Sequence, residues 1–396
     1  MPARSFREPA TIACLFLVLF LGVADNQVLS PLLPAIRAEF GKTSAELGLI
    51  FTGYSLAAGL LVLLWGPLSD MSGPRQGILT ALLIFGIGSL LSSLSHGLPA
   101  LVCGRAVTGA GASMLSLNAI SYAAGSFPYR RRGWAMGSIV SSYFAALVFG
   151  VPVGSWLGDR FGWNAVFSLA CATSVSLLAV VYLLLPPLAT GRAPMNFRFR
   201  LSLSLKDYVG FLFSREHSGA LFSSFFASAG AMGFLAFLGV WLHDAFNLSG
   251  RDIGLVFLAS GAAALVASPV GGAISDRIGK RIQFVGSSMA LAFLLLVLPN
   301  LHWGAALFLT FGGISMAAAF RQGPMEALVT ELVEPQRRGS FIALRNAFSQ
   351  LGIGLSASMS GVLFQNFGYS AVCILGGGAN LLAALLMIAL VKRHKL

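Results

Sequence analysis

Apolar residues dominate this chain in long runs separated by short polar breaks. The runs lie near 11–36, 45–68, 76–95, 100–127, 134–157, 164–187, 216–242, 252–275, 282–299, 304–332, 340–365 and 370–391. A hydrocarbon core about 30 Å thick needs roughly 20 apolar residues per crossing helix, so each run suffices for one crossing. The pattern predicts an all-α integral membrane protein of twelve transmembrane helices, joined mostly by short loops. Residues 188–215 form the longest polar stretch. They read as a linker between an N-terminal bundle (1–187) and a C-terminal bundle (216–396), with a short amphipathic helix on an anionic membrane surface.

Composition sharpens this picture. The 396 residues are 56% hydrophobic and 10% charged, against about 25% charged in soluble domains. That excludes an ordinary cytosolic enzyme and, for most of the chain, disorder. The net charge of +12 would suggest nucleic acid on a soluble protein. Here the basic residues cluster between apolar runs, which is a topological signal, and no nucleic-acid partner is expected. With both termini cytoplasmic, nineteen of the 26 basic residues fall in inside segments and four (Arg37, Lys42, Arg160, Arg251) in outside loops. The remaining three, Arg105, Arg321 and Arg345, lie within spans. The expected location is a bacterial cell membrane. Arg4, Arg7 and Gly22-Val23-Ala24 also fit a cleavable signal peptide, but the apolar run resumes through Pro34. The four cysteines lie in apolar runs without metal-ligand spacing and read as packing residues.

A shift of 206 residues aligns the two halves without a gap over about 120 residues. Phe40, Gly48 and Phe51 meet Phe246, Gly254 and Phe257. Gly66, Ser69, Asp70, Gly73 and Arg75 meet Gly272, Ser275, Asp276, Gly279 and Arg281; Phe161-Gly162-Trp163 meets Phe367-Gly368-Tyr369. The duplication predicts two pseudo-symmetric six-helix bundles in parallel orientation.

The segment Gly66-Pro-Leu-Ser-Asp70-Met-Ser-Gly73-Pro-Arg75 resembles the loop signature of the major facilitator superfamily, and Gly272-Ala-Ile-Ser-Asp276-Arg-Ile-Gly279-Lys-Arg281 is its cleaner second copy. The first copy departs at Met71 and Pro74, where basic residues are usual. Arg105-Ala-Val-Thr-Gly109-Ala-Gly111 resembles that superfamily's fourth-helix motif, and Gly150-Val-Pro152-Val-Gly154 its antiporter motif with the proline displaced by one. The resemblance covers the whole chain and points to the twelve-helix drug- and sugar-efflux branch of proton antiporters. It implies a gating latch on the cytoplasmic side formed by Gly66, Asp70, Gly73, Arg75, Gly272, Asp276, Gly279 and Arg281. It also ties Arg105 to proton coupling.

Ionisable side chains in hydrocarbon cost about 2.5–3.5 kcal/mol each on insertion scales, so they should face a cavity or a partner. Asp25 lies mid-span, followed by Pro31 and Pro34, which predict a kink. A carboxylate there can take up and release a proton during transport. Arg105 is a fixed positive charge and its expected electrostatic partner. Arg321-Gln-Gly-Pro324-Met-Glu326 predicts a broken tenth helix. Glu326 and Arg345 lie at matching depth and are expected to pair, leaving Arg321 free to meet substrate. The proton-coupling set is therefore Asp25, Arg105 and Glu326. The substrate-binding set is Asn26, Asn118, Tyr143, Arg321, Arg345 and Asn346, with Tyr54, Phe144, Phe226, Phe234, Trp241 and Gln350 as further wall candidates. Three intramembrane arginines against two acids admit an anionic or zwitterionic substrate head.

No Walker loop, H-E-x-x-H or G-x-S-x-G motif is present. The expectation is a secondary transporter, not an enzyme, without cofactor or metal. It would be monomeric, with a small molecule, protons and membrane lipids as partners. It would export a small amphipathic or polar organic compound by alternating access. A lipid or lysolipid flippase on the same fold, and a non-transporting receptor or scaffold, are the alternatives.

Overall fold

A computed structural model describes residues 7–127, 129–188, 197–334 and 337–391, without the side chains of 7, 66–72, 129–133, 197–203, 276, 329 and 330. The first span, α1, runs through Arg7–Gln27 and Leu29–Phe40 with a break at Val28. Then come α2 (Ser44–Ser72), α3 (Pro74–Ser93) and α4 (Leu98–Ser126). The fifth, α5, is composite: Tyr129–Val140, Ser142–Ala145, a π-turn Ala146–Gly150, and Val151–Phe161. Next are α6 (Trp163–Leu184), a linker helix Phe197–Phe213, α7 (Arg215–Phe246), α8 (Gly250–Ile278), α9 (Lys280–Val297) and α10 (Ala305–Glu331). The last helix, Arg338–Leu390, divides at Gly368 into α11 (338–367) and α12 (369–390). Twelve spans thus exist among the described residues, and each half of the chain supplies six.

The duplication is visible in the backbone as well as the sequence. Positive φ occurs at Gly41 (59°), Gly73 (84°) and Gly162 (87°), and again 206 residues later at Asn247 (52°), Gly279 (92°) and Gly368 (76°). These are the turns that reverse the chain. Glycine adopts them without a Cβ clash, and Asn is among the few other residues that tolerate the left-handed region. The arginine two residues past each signature glycine repeats its contact too. Arg75 donates to Tyr182 O at 2.7 Å, and Arg281 to Ile388 O at 2.5 Å and Met387 O at 3.2 Å. Each cation thus sits on the negative C-terminal end of the last helix of its own half. Replacing either by Gln should lower stability by about 1 kcal/mol or less, equally for both, as read by thermal unfolding in detergent. The side chains of Gly66–Ser72 and Asp276, which carry the rest of the expected latch, lie outside the described residues.

The core divides by depth. The face bearing both chain ends and the linker is called the linker face, and the opposite one the far face. Near the far face one cluster is shared by both halves, with Leu29, Leu32, Leu33 and Ile36 packed among Phe237, Leu238, Val240, Ile253 and Phe257. Near the linker face the halves keep separate clusters, Ile12–Leu185 in one and Tyr208–Val391 in the other. The second segment of α1 packs on α7 and the end of α5 on α8, whereas Arg7–Gln27 and Tyr129–Val140 pack mainly within their own half. The seam is therefore tight at the far face; α2 and α11 stay in contact down to Gly59 and Ala347, and the α1 and α5 sides of the seam part toward the linker face.

Hydrogen bonds reinforce the far seam. Ser30 Oγ donates to Leu235 O at 2.6 Å and accepts from Gly239 N at 3.2 Å. Thr52 Oγ1 donates to Gly354 O at 2.7 Å. Arg37 grips Asp244 through two bonds of 2.8 and 2.5 Å, and Asp159 accepts from Gly250 N and Arg251 N at the start of α8. At the linker face the linker helix straps across: Tyr208 Oη donates to Leu63 O at 3.3 Å in one half, and Asp207 accepts from Arg337 Nε at 2.7 Å in the other. Tyr208 lies outside the spans, and burial pushes its phenol up to about 12.

One local expectation needs correction, and one feature was unforeseen. The tenth helix is continuous through Pro324, not broken. A single missing amide donor costs less than unwinding a span in hydrocarbon, where several backbone groups would lose their partners. The π-turn in α5 was not expected from the hydrophobic pattern. Pro152, one turn on, lacks an N–H and its ring would press on the preceding turn, so the helix widens there. In the first span, where a kink was expected, the helix is interrupted at Val28, just before Pro31.

Candidate functional site

Between the halves lies a cavity of about 410 Å³, reaching from mid-span toward the linker face. Every wall is built by helical spacing. From one half come Asn26 and Gln27 of α1, Tyr54, Ala58 and Val62 of α2, Ser113 and Ser116 of α4, and Tyr143 of α5. The other half contributes Ser224, Ser228 and Met232 of α7, Arg321, Met325 and Glu326 of α10, and Arg345, Asn346, Ser349 and Gln350 of α11. Offsets of three and four put each set on one helix face.

Arg345 Nη2 lies 2.7 Å from Glu326 Oε1 and 2.7 Å from Asn346 Oδ1. The depth-matched partners therefore meet at the cavity wall, with Glu326 about half exposed (48%). Arg321 Nη1 donates to Asn380 Oδ1 and Nη2 to Ala227 O at 3.0 Å. No carboxylate among the described residues pairs with Arg321. It is not free, as expected from sequence, but it is held only by neutral oxygens. Burial elsewhere removes the other wall candidates. Trp241 stacks on Tyr369 at 4.6 Å near the far face, Phe234 belongs to the shared core, and Phe144 packs beside Ala264.

Asp25 and Arg105 form the most enclosed charge pair among the described residues. Arg105 Nη1 lies 2.6 Å from Asp25 Oδ2, and the two side chains are 0% and 1% exposed. The guanidinium sits between the rings of Tyr54 (4.8 Å) and Phe167 (5.3 Å). Neither charge reaches the cavity; Tyr54, which does, separates them from it. Of the two expected surroundings, a cavity or a partner, Asp25 meets the partner, Arg105, and stands one side chain behind the wall. Asp25 Oδ1 and Arg105 Nε and Nη2 have no protein partner. A pair with three unmet groups is poorly satisfied for its depth.

Glycines seat α1 beside this pair. A Cβ at Gly150, Gly154 or Gly158 would lie 2.6 Å from Ala24 Cβ, 2.4 Å from Val28 Cγ2 and 2.3 Å from Leu32 Cδ2. The motif resembling the antiporter signature is thus the groove that positions Asp25. Asn118, expected to contact substrate, is fully buried. Its Nδ2 donates to Met114 O at 2.8 Å, and its amide lies where a Gly77 side chain would stand, against α3. Sequence reading passed over Gln27, Ser113, Ser116, Ser224, Ser228 and Ser349. The signal available was polar residues recurring three or four apart inside apolar runs.

Comparison with known proteins places these features in context. A family model described as Major Facilitator Superfamily matches residues 15–217 and again 220–395. The uncharacterized MFS-type transporter YbcL of Bacillus subtilis (strain 168) is 25% identical over 369 residues, covering 92% of this chain and 91% of that protein. Azole resistance protein 1 of Saccharomyces cerevisiae is 32% identical over 166 residues, which cover 41% of this chain and 27% of that protein. Among solved structures, a crystal structure of a D-xylose-proton symporter superposes with a TM-score of 0.77 at 18% identity, covering 97% of this chain and 98% of that one. At that identity the likeness shows the fold.

Proposed function

The chain belongs to the major facilitator superfamily and is a multi-pass membrane transporter, and we propose that it exports a small amphipathic or polar organic compound in exchange for protons. The observation that carries this reading is the sealed Asp25–Arg105 pair one side chain behind a cavity between the halves. In this reading Asp25 is the proton site and Arg105 its counter-charge. Tyr54 relays their state to the cavity, where Arg321 and the Glu326–Arg345 pair meet the substrate. The linker face is cytoplasmic, as the charge asymmetry implies, and the cavity is in its inward-facing state. Rocking of the halves would part the far seam and close the other side. The partial relative named for azole resistance supports export.

The test uses everted membrane vesicles acidified inside by respiration. Adding substrates from a panel of amphipathic compounds should restore the quenched fluorescence of a pH-sensitive dye only where the protein is present. Substrate movement without proton movement would end the antiport reading.

A further inference from the structure

We propose that the cavity is a site for organic anions: one anionic head bound at Arg321, on an apolar body. This rests on the cavity being the transport site and names the class of its substrate.

The charges around the cavity do not cancel. Arg345 is paired with Glu326. Arg105 is paired with Asp25, behind Tyr54. Arg321 lines the same cavity and donates to Asn380 Oδ1 and Ala227 O, both neutral. Two neutral oxygens solvate the guanidinium and aim it, but they leave its full positive charge in place. A guanidinium cannot shed that charge by losing a proton. An uncompensated cation in a span is costly, and an anionic ligand at its exposed edge would offset that cost. A neutral or cationic ligand would leave it or add to it.

A second, independent observation concerns two amides of the cavity wall, Gln27 of the opposite half and Gln350 of the half that carries Arg321. Gln27 Oε1 and Gln350 Oε1 are both buried with no protein partner, and both residues line the cavity. Each amide also carries N–H donors, and both residues line the cavity that Arg321 lines, so an anionic head there has donors besides the guanidinium. Met232, Leu235, Met325 and Ile353 supply the apolar remainder. The volume of about 410 Å³ lies within the usual range for small-molecule sites.

The test is a matched series binding to purified protein in detergent, followed by calorimetry: 4-phenylbutyrate, 4-phenylbutanamide and 4-phenylbutylamine. These share one body and differ in head charge. The carboxylate should bind about tenfold or more tighter than the amide, and the amine weakest. Arg321→Gln should erase the preference for the carboxylate, and Arg321→Lys should keep part of it. In nanodiscs, competition by phosphatidylglycerol would identify a lipid head as the natural source of the anion, and its absence a soluble one. Equal binding of the three probes, binding of none, tighter binding of the amine, or a preference surviving in Arg321→Gln would overturn the proposal. The wild-type series decides alone should Arg321→Gln fail to fold. Binding in detergent needs neither proton coupling nor a direction, so failure of proton exchange in vesicles would leave this result standing.

Discussion

Asp25→Asn should uncouple transport from the pH gradient and also destabilise the fold. The two effects have one cause. Asp25 and Arg105 are nearly inaccessible and 2.6 Å apart. Removing one partner of a buried pair leaves the other charge unmet, at a typical cost of about 3–5 kcal/mol. Asn keeps one hydrogen-bond acceptor, so the lower end of that range is expected. The double variant Asp25→Leu with Arg105→Met separates the roles. Replacing a buried pair by apolar side chains of similar volume is often neutral or stabilising, and this pair leaves three groups unsatisfied to begin with. The double variant should therefore unfold at or above the parental temperature and yet carry substrate only down its own gradient. Thermal unfolding and pH-gradient-driven flux in proteoliposomes are the two readouts. A double variant that still responds to the pH gradient would remove Asp25 from the coupling role and leave it a packing element.

How much of this was legible beforehand depends on which physical constraint was in force. Lipid demands continuous apolar runs, so the spans can be read from residue type alone. The duplication is a matter of register, and its prediction of equivalent turns holds down to the sign of φ at Gly41 and Asn247. Glu326 and Arg345 could be matched because distance from a loop measures depth. Azimuth is different. A span that is apolar all round carries no amphipathic stripe to say which face turns inward. Asn118 thus turned out to face α3, while Ser113 and Ser116 of the same helix line the cavity. The same gap hid the fact that Asp25 stands behind Tyr54. The sealed far face was also unreadable, since both states of a rocking transporter share the packing within each half. Only contacts across the seam distinguish them.

Those seam contacts yield the second large effect. Gly239→Val should hold the far face open. A Cβ at Gly239 would lie 2.2 Å from Ser30 O and 2.9 Å from Pro31 Cα across the seam. These are backbone atoms, so no rotamer change makes room, and Pro31 and Pro34 stiffen the segment that would have to yield. The two halves must instead separate at that end. Gly361 is a second and independent position, since its Cβ would lie 2.5 Å from Ser44 O between α11 and α2. Gly286 is the control, with nothing within 4 Å of its Cβ. A cysteine at Gln27, in a background without the native cysteines, reports access to the cavity. In Gly239→Val and Gly361→Val a membrane-impermeant thiol reagent added at the far face should label it about tenfold faster than in the parent. Flux should fall by a similar factor, and Gly286→Val should leave both unchanged. If both seam variants fold, and label and transport like the parent, the far seam is not the closed gate, and the cavity must communicate with the two sides by some other route.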